Sequence, residues 1–121
     1  MLVSDIEKAP VATLGQQLCQ HPYFPEQANI GFMEIKTANH IRLRVYERGC
    51  GETKACGSGA VAAALIGQRY LNLHQRIKVD LPGGSLDIEW EGDKQPVFLT
   101  GTATFVYEGE ICESYFDESS I

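Results

Sequence analysis

The chain has no apolar run near the ~18 residues that crossing a bilayer as a helix requires, so no membrane span is expected. It also lacks a surplus of basic charge. Ten Lys and Arg stand against sixteen Asp and Glu, a net charge of −6, which excludes nucleic acid as an expected partner because phosphate contacts need surplus cations. The opening residues, Met1 to Lys8, have neither the basic end nor the apolar stretch of a secretory signal. A cytoplasmic address is therefore expected, where Cys19, Cys50, Cys56 and Cys112 are thiols rather than disulfides. No close cysteine pair faces a close histidine pair, so no metal site is expected. Repeats, low-complexity tracts and linkers are missing too, and residues 1–121 read as a single domain.

What is present is a β-rich pattern. Apolar residues make up 44% of the chain, enough for a core, and twelve glycines against five prolines point to many tight turns. A short helix is predicted over residues 10–20, with Pro10 in its first turn, Val11, Leu14 and Leu18 at helical spacing, and His21-Pro22 as its stop. Strands follow at Ile30 to Lys36 and Ile41 to Tyr46, joined by a turn at Ala38-Asn39. Ile77–Leu81, Leu86–Trp90 and Val97–Tyr107 read as further strands, separated by turns at Pro82–Ser85 and Glu91–Asp93. Ala60 to Gly67 is apolar on every side, which predicts a helix buried all round. The tail from Glu113 to Ile121 is acidic and expected to fray. The predicted class is α+β, with mostly antiparallel strands wrapped around one buried central helix.

The chemistry concentrates in residues 47–59. Gly49, Gly51, Gly57 and Gly59 frame Cys50, Glu52, Thr53, Lys54, Cys56 and Ser58. Cys56-Gly57-Ser58-Gly59 runs into the apolar helix, whose first N–H groups lack partners and carry partial positive charge. A cysteine there is favoured as thiolate, and the same N–H groups can hold a carboxylate that approaches the glycines. Residues 42–54 carry a net +2 against −8 for the remainder, a setting suited to a small anionic substrate. Arg42 and Arg44 themselves alternate with apolar residues and read as a solvated strand face. Cys19 and Cys112 read as inert, Cys50 as a bystander, and His21, His40 and His74 as without a role.

Three other motifs fit poorly. Gly57 to Ala62 matches a loose dinucleotide pattern with Asp80 downstream, but no strand leads tightly into the helix. Lys54 precedes the last glycine, where a phosphate loop needs it to follow. A cysteine hydrolase needs a partner histidine that the spacing does not supply.

The run Tyr46-Glu47-Arg48-Gly49-Cys50-Gly51-Glu52-Thr53-Lys54-Ala55-Cys56-Gly57-Ser58-Gly59-Ala60 closely resembles the second cysteine motif of the diaminopimelate epimerase family. His21 to Glu26, Asn29 to Met33, Asp80 to Leu86 and Leu99-Thr100-Gly101 resemble its flanking segments. The resemblance implies a cofactor-independent isomerase that inverts one stereocentre of diaminopimelate, on the route to lysine and peptidoglycan. Two cysteines on opposite sides of the α-carbon remove and return the proton. Cys56 resembles one of them. Glu47 resembles a catalytic and substrate-binding carboxylate, Gly57 and Ser58 the cradle of the reacting carboxylate, Arg48 the clamp of the distal carboxylate, and Asn29 an amide at the distal centre. Tyr107 resembles a dimer contact, and a homodimer is expected.

Cys50 stands where the family more often has alanine, and Val61 where a further cysteine is common. The family has two similar lobes, each with a cysteine motif, whereas this chain carries one. The resemblance implies a C-terminal lobe whose partner, the N-terminal lobe with a Cys-Gly-Asn-Gly motif, is absent. The chain alone is then expected to be inactive. Proline racemase and phenazine-type isomerases are related alternatives. A non-catalytic module binding carboxylates or a subunit, and a redox switch of Cys50 and Cys56, are alternatives of other classes.

Overall fold

Alternation along the chain assembles one mixed sheet. The computed structural model describes residues 1–116. Its elements are α1 (Leu14–Cys19), β1 (Ile30–Thr37), β2 (His40–Glu47), β3 (Gly51–Glu52), α2 (Gly57–Leu71), β4 (Arg76–Leu81), β5 (Gly84–Trp90) and β6 (Val97–Thr100), with 3-10 turns at Ile6–Lys8 and Glu113–Phe116. The strand order is β1-β2-β4-β5-β6, with β3 paired to β2. The β2–β4 pairing is parallel and the other four are antiparallel. The α+β class with mostly antiparallel strands holds. The strand predicted over Val97–Tyr107 stops at Thr100, and residues 101–112 follow without regular structure and exposed. Residues 117–121 of the tail expected to fray lie outside the described residues.

Strand periodicity sends alternate residues to opposite faces. Ile41, Leu43 and Val45 of β2 join Ile77, Val79 and Ile88 in the larger core beneath α2. Arg42, Arg44 and Tyr46 face the other way. There the amino-terminal segment packs instead of solvent, which corrects the solvated-face reading. Phe32, Ile6, Ala9 and Val11 form a second, smaller core on that side. Polar contacts fasten it: Ile6 N donates to Glu34 Oε2 at 3.0 Å, and Arg44 Nη1 donates to the Ile6 carbonyl at 3.0 Å. The Ile6 amide is the main cause holding the Glu34 carboxyl below its usual range, with Lys36 adding to it.

The central helix differs from expectation. α2 buries only Ala60, Ala64 and Gly67, a stripe at helical spacing. Ser58, Ala62, Ile66 and Tyr70 form an exposed stripe, with Ile66 52% and Tyr70 68% accessible. Apolar composition on all sides is here not burial on all sides. The small residues permit close packing: a Cβ on Gly67 would lie 2.4 Å from Leu73 Cδ1. Asn72 ends the helix with φ 56°, a left-handed conformation that asparagine tolerates.

Asp80 ties three strands together, and His40 thereby gains a structural role that sequence spacing did not show. Asp80 accepts from Ser85 Oγ at 2.5 Å and lies 2.6 Å from His40 Nε2, with Lys78 Nζ at 3.5 Å. The Ser85 hydroxyl first, then His40 and Lys78, hold its carboxyl at about 2, against an ordinary 3.8. A carboxyl whose pKa is lowered by folding stabilises the fold above its unfolded pKa and loses that contribution as protons bind. Asp80→Asn is expected to cost ~1–2 kcal/mol at neutral pH, with the gap to wild type closing between about pH 4 and pH 2. Urea midpoints of both proteins across that range check it. A gap that stays constant counts against the assignment.

Candidate functional site

The site is built at the junction of β2, the β3 hairpin and the start of α2. β2 ends at Glu47, and the chain reverses through Arg48, Gly49 and Cys50 into β3. Gly49 and Gly51 have φ of +79° and +80°, which any side chain would strain. Cys50 projects from this reversal and is exposed. The hairpin returns the chain toward α2, so that Cys56 becomes the residue that caps the helix.

Cys56 is extended, with φ −140° and ψ 103°, and its Sγ accepts from Gly59 N at 3.4 Å. Ser58 Oγ lies 3.6 Å from the same sulfur. The expected place of the thiol at the helix start is therefore present, although the helix begins three residues earlier than Ala60. The cysteine is only 6% accessible and packs at the edge of the larger core, while Gly57 and Ser58 are exposed. Short residues at the helix start serve this packing. A Cβ on Gly59 would lie 3.1 Å from both Cys56 Sγ and Val45 Cγ2.

Asn29 and Arg48 are brought together. The Arg48 amide donates to Asn29 Oδ1 at 2.8 Å, and Arg48 Nη1 donates to the Glu26 carbonyl at 3.1 Å. The Asn29 carbonyl is thus engaged, and its NH₂ group is the end left to offer a ligand. Glu47 is half-buried, and its Oε1 accepts from Thr53 Oγ1. An open cleft of about 380 Å³ runs between β1–β2 and the exposed side of α2, lined by Asn29, Gly31, Met33, Ser58, Ala62 and Ile66 among others. Asn29 and Ser58 thus share one cleft. Cys56, Glu47 and Arg48 do not line it.

The positive window is largely spent within the chain. Arg44 grips Glu52 with Nε to Oε1 at 2.6 Å and Nη2 to Oε2 at 2.8 Å. This fork-to-fork bond is the main cause raising the Arg44 pKa and lowering that of Glu52. Arg42 pairs with Glu7 and, at 3.6 Å, with Glu34. Both arginines point away from α2, so Arg48 and Lys54 are the cations of this window left for a ligand.

Two residues that the sequence reading named without a role hold the site's backbone. Thr53 donates to Glu47 and reaches the Ala55 carbonyl at 3.3 Å. Gly83, in the β4–β5 turn, donates its N–H to the Lys54 carbonyl at 2.7 Å, and a Cβ there would lie 2.9 Å from that oxygen. Thr53 lies in the loop that the glycines frame, six residues from Glu47; Gly83 was legible only as part of a turn, because its partner Lys54 is distant in sequence. Tyr107 lies in the exposed stretch beyond β6 and is 83% accessible, beside Phe105 and Val106. Among the described residues, no group of three His, Cys, Asp or Glu side chains gathers as a metal site needs, and no helix is long and apolar enough to cross a membrane.

The chain is 59% identical over 111 residues to a diaminopimelate epimerase of Legionella pneumophila (strain Corby), covering 92% of this chain and 40% of that protein. It is 54% identical over 109 residues to the diaminopimelate epimerase of Pseudomonas aeruginosa (strain LESB58), covering 90% and 40%. The chain thus spans about 40% of the length of these curated relatives. Among solved structures, a phenazine biosynthesis protein of the PhzF family from Enterococcus faecalis superposes with TM-score 0.57 at 14% identity, over 74% of this chain and 32% of that one. The PhzF-family protein of Bacillus anthracis gives 0.52 at 20% identity, over 81% and 32%. At such identities the likeness speaks for the fold alone. A family model for diaminopimelate epimerase matches residues 1–106, and the chain belongs to the diaminopimelate epimerase family.

Proposed function

We propose that this chain supplies one catalytic side of a cofactor-independent, two-cysteine epimerase that interconverts LL- and meso-diaminopimelate in the cytoplasm. The observation that carries this is the capping of α2 by Cys56, beside the exposed starts of Gly57 and Ser58. A thiolate there serves as base, and a thiol as acid, for the proton on the α-carbon. The N–H groups of the helix start stabilise negative charge that builds on the adjacent carboxylate as the proton leaves. Glu47 binds the substrate near the reacting centre. Asn29, with its NH₂ group free, and Arg48 hold the distal end.

Inversion needs a proton taken from one side of the carbon and delivered to the other. Cys56 serves one side only, and in this reading the second thiol belongs to a partner N-terminal lobe. The expected result is that the isolated chain exchanges no α-proton of LL-diaminopimelate with solvent deuterium, followed by NMR. Rapid exchange with inversion by the chain alone overturns the one-sided reading. Tyr107 and the exposed run around it are proposed to contact a second copy. A concentrated sample that elutes as a sharp monomer in size-exclusion chromatography counts against that contact.

One observation favours a second reading, a non-catalytic carboxylate-binding module: the sulfur is nearly buried whereas Gly57 and Ser58 are open. Binding would then need the helix-start amides and not the thiol. Affinity that survives Cys56→Ala, with no exchange activity in any reconstituted form, favours the module.

A further inference from the structure

One hydroxyl bridges Glu47 and the peptide before Cys56. Thr53 Oγ1 donates to Glu47 Oε1 and lies 3.3 Å from the Ala55 carbonyl, the peptide oxygen immediately before Cys56. Its own amide donates to the Val45 carbonyl at 3.4 Å, which anchors Thr53 on β2. From the other side Gly83 N holds the Lys54 carbonyl at 2.7 Å. The backbone on each side of Lys54 is thus fixed by contacts from β2 and from the β4–β5 turn. A hydroxyl carries one hydrogen and accepts through its lone pairs. It can serve the Glu47 carboxylate and the Ala55 carbonyl only by sharing or alternating that hydrogen, which links the two groups through a single atom.

We propose that Thr53 is the positioning residue of this site: its hydroxyl ties the Glu47 carboxylate to the peptide before Cys56 and so seats the sulfur against the start of α2. The inference rests on the reading of Cys56 as the reacting thiol, but its test needs no substrate. Failure of the test therefore bears on Thr53 and leaves the epimerase reading to its own experiment. Without the hydroxyl, the Glu47 oxygen and the Ala55 carbonyl both lose their donor. The loop then gains freedom, and the nearly buried sulfur becomes easier to reach.

The experiment measures iodoacetamide alkylation of the full chain, with peptide mass mapping to resolve Cys56 from Cys19, Cys50 and Cys112. Thr53→Val keeps the shape and removes the hydroxyl. Cys56 in that variant is expected to react about threefold faster or more, the scale of one lost hydrogen bond. Thr53→Ser, which restores the donor, is expected to react at the wild-type rate. Cys19 is buried at the end of α1, which packs on β1 and β2, and serves as the control for wider opening of the fold; its rate is expected to stay unchanged. Thr53→Ala repeats the comparison without the second methyl, in case the valine folds poorly. The proposal is overturned by a Cys56 rate at or below wild type, by a serine variant that behaves like valine, or by Cys19 accelerating in step with Cys56 in both the valine and alanine variants.

Discussion

Phe32→Ala is expected to cost ~3–5 kcal/mol and to release the amino-terminal segment from the sheet before the rest of the fold opens. Phe32 is fully buried and is the largest side chain of the smaller core, where its buried companions are Ile6, Ala9 and Val11. A cluster of that size has few neighbours that can move in to fill the vacancy, which is the condition under which large-to-small changes cost most. The polar ties from Glu34 and Arg44 to Ile6 contribute only ~1 kcal/mol each and do not replace the lost apolar anchor. The larger core beneath α2 lies on the opposite face and keeps its own contacts. Native-state hydrogen exchange separates the two. Amides of α1 should lose protection strongly, and those of β4 and β5 less so. Uniform loss across the chain would show that the two cores unfold as one unit and would refute the local release.

The same two-faced sheet shows what could be read from residue order. The alternation of Ile41, Leu43 and Val45 placed one face of β2 in the core, since period two is a local property of an extended chain. It could not say what covers the other face. Arg42 and Arg44 looked solvated because their partners, Glu7, Ile6 and Glu52, arrive from distant or reversed segments. For α2, apolar composition reports what can be buried rather than what is, so Ala62 and Ile66 read as core although they are exposed. Residues 101–107 are extended in pattern, but a strand also needs a neighbour to bond, and pattern does not reveal one.

The site divides the same way. Cys56 at a helix start was legible because capping is local, and the motif around it carried Glu47 and Arg48. The bond from Arg48 to Asn29 spans nineteen residues and the one from His40 to Asp80 spans forty. Such pairings follow from strand order, which here includes a parallel β2–β4 crossing that no local signal announced.

Cys56→Ala and Cys56→Ser part company in a way that isolates the chemistry of the sulfur. Under the proposed epimerase reading, both are expected to lower α-proton exchange of LL-diaminopimelate by ~10³-fold or more when this chain is combined with the amino-terminal half of a relative, because general acid–base groups contribute on that scale. A serine hydroxyl ionises far less readily than a thiol and does not replace the base. In stability the two diverge. Cys56 caps α2 through Gly59 N, and alanine has no atom to accept that hydrogen. The loss of a cap costs ~0.5–2 kcal/mol, so Cys56→Ala should melt earlier, whereas serine is a preferred capping residue and should match or exceed the wild type. Melting curves of the isolated variants and exchange rates of the reconstituted ones give the two readouts independently. A serine variant that is stable and inactive assigns the lost activity to the thiol and not to a disturbed helix start. A serine variant that still exchanges the proton at the wild-type rate removes Cys56 from the reaction.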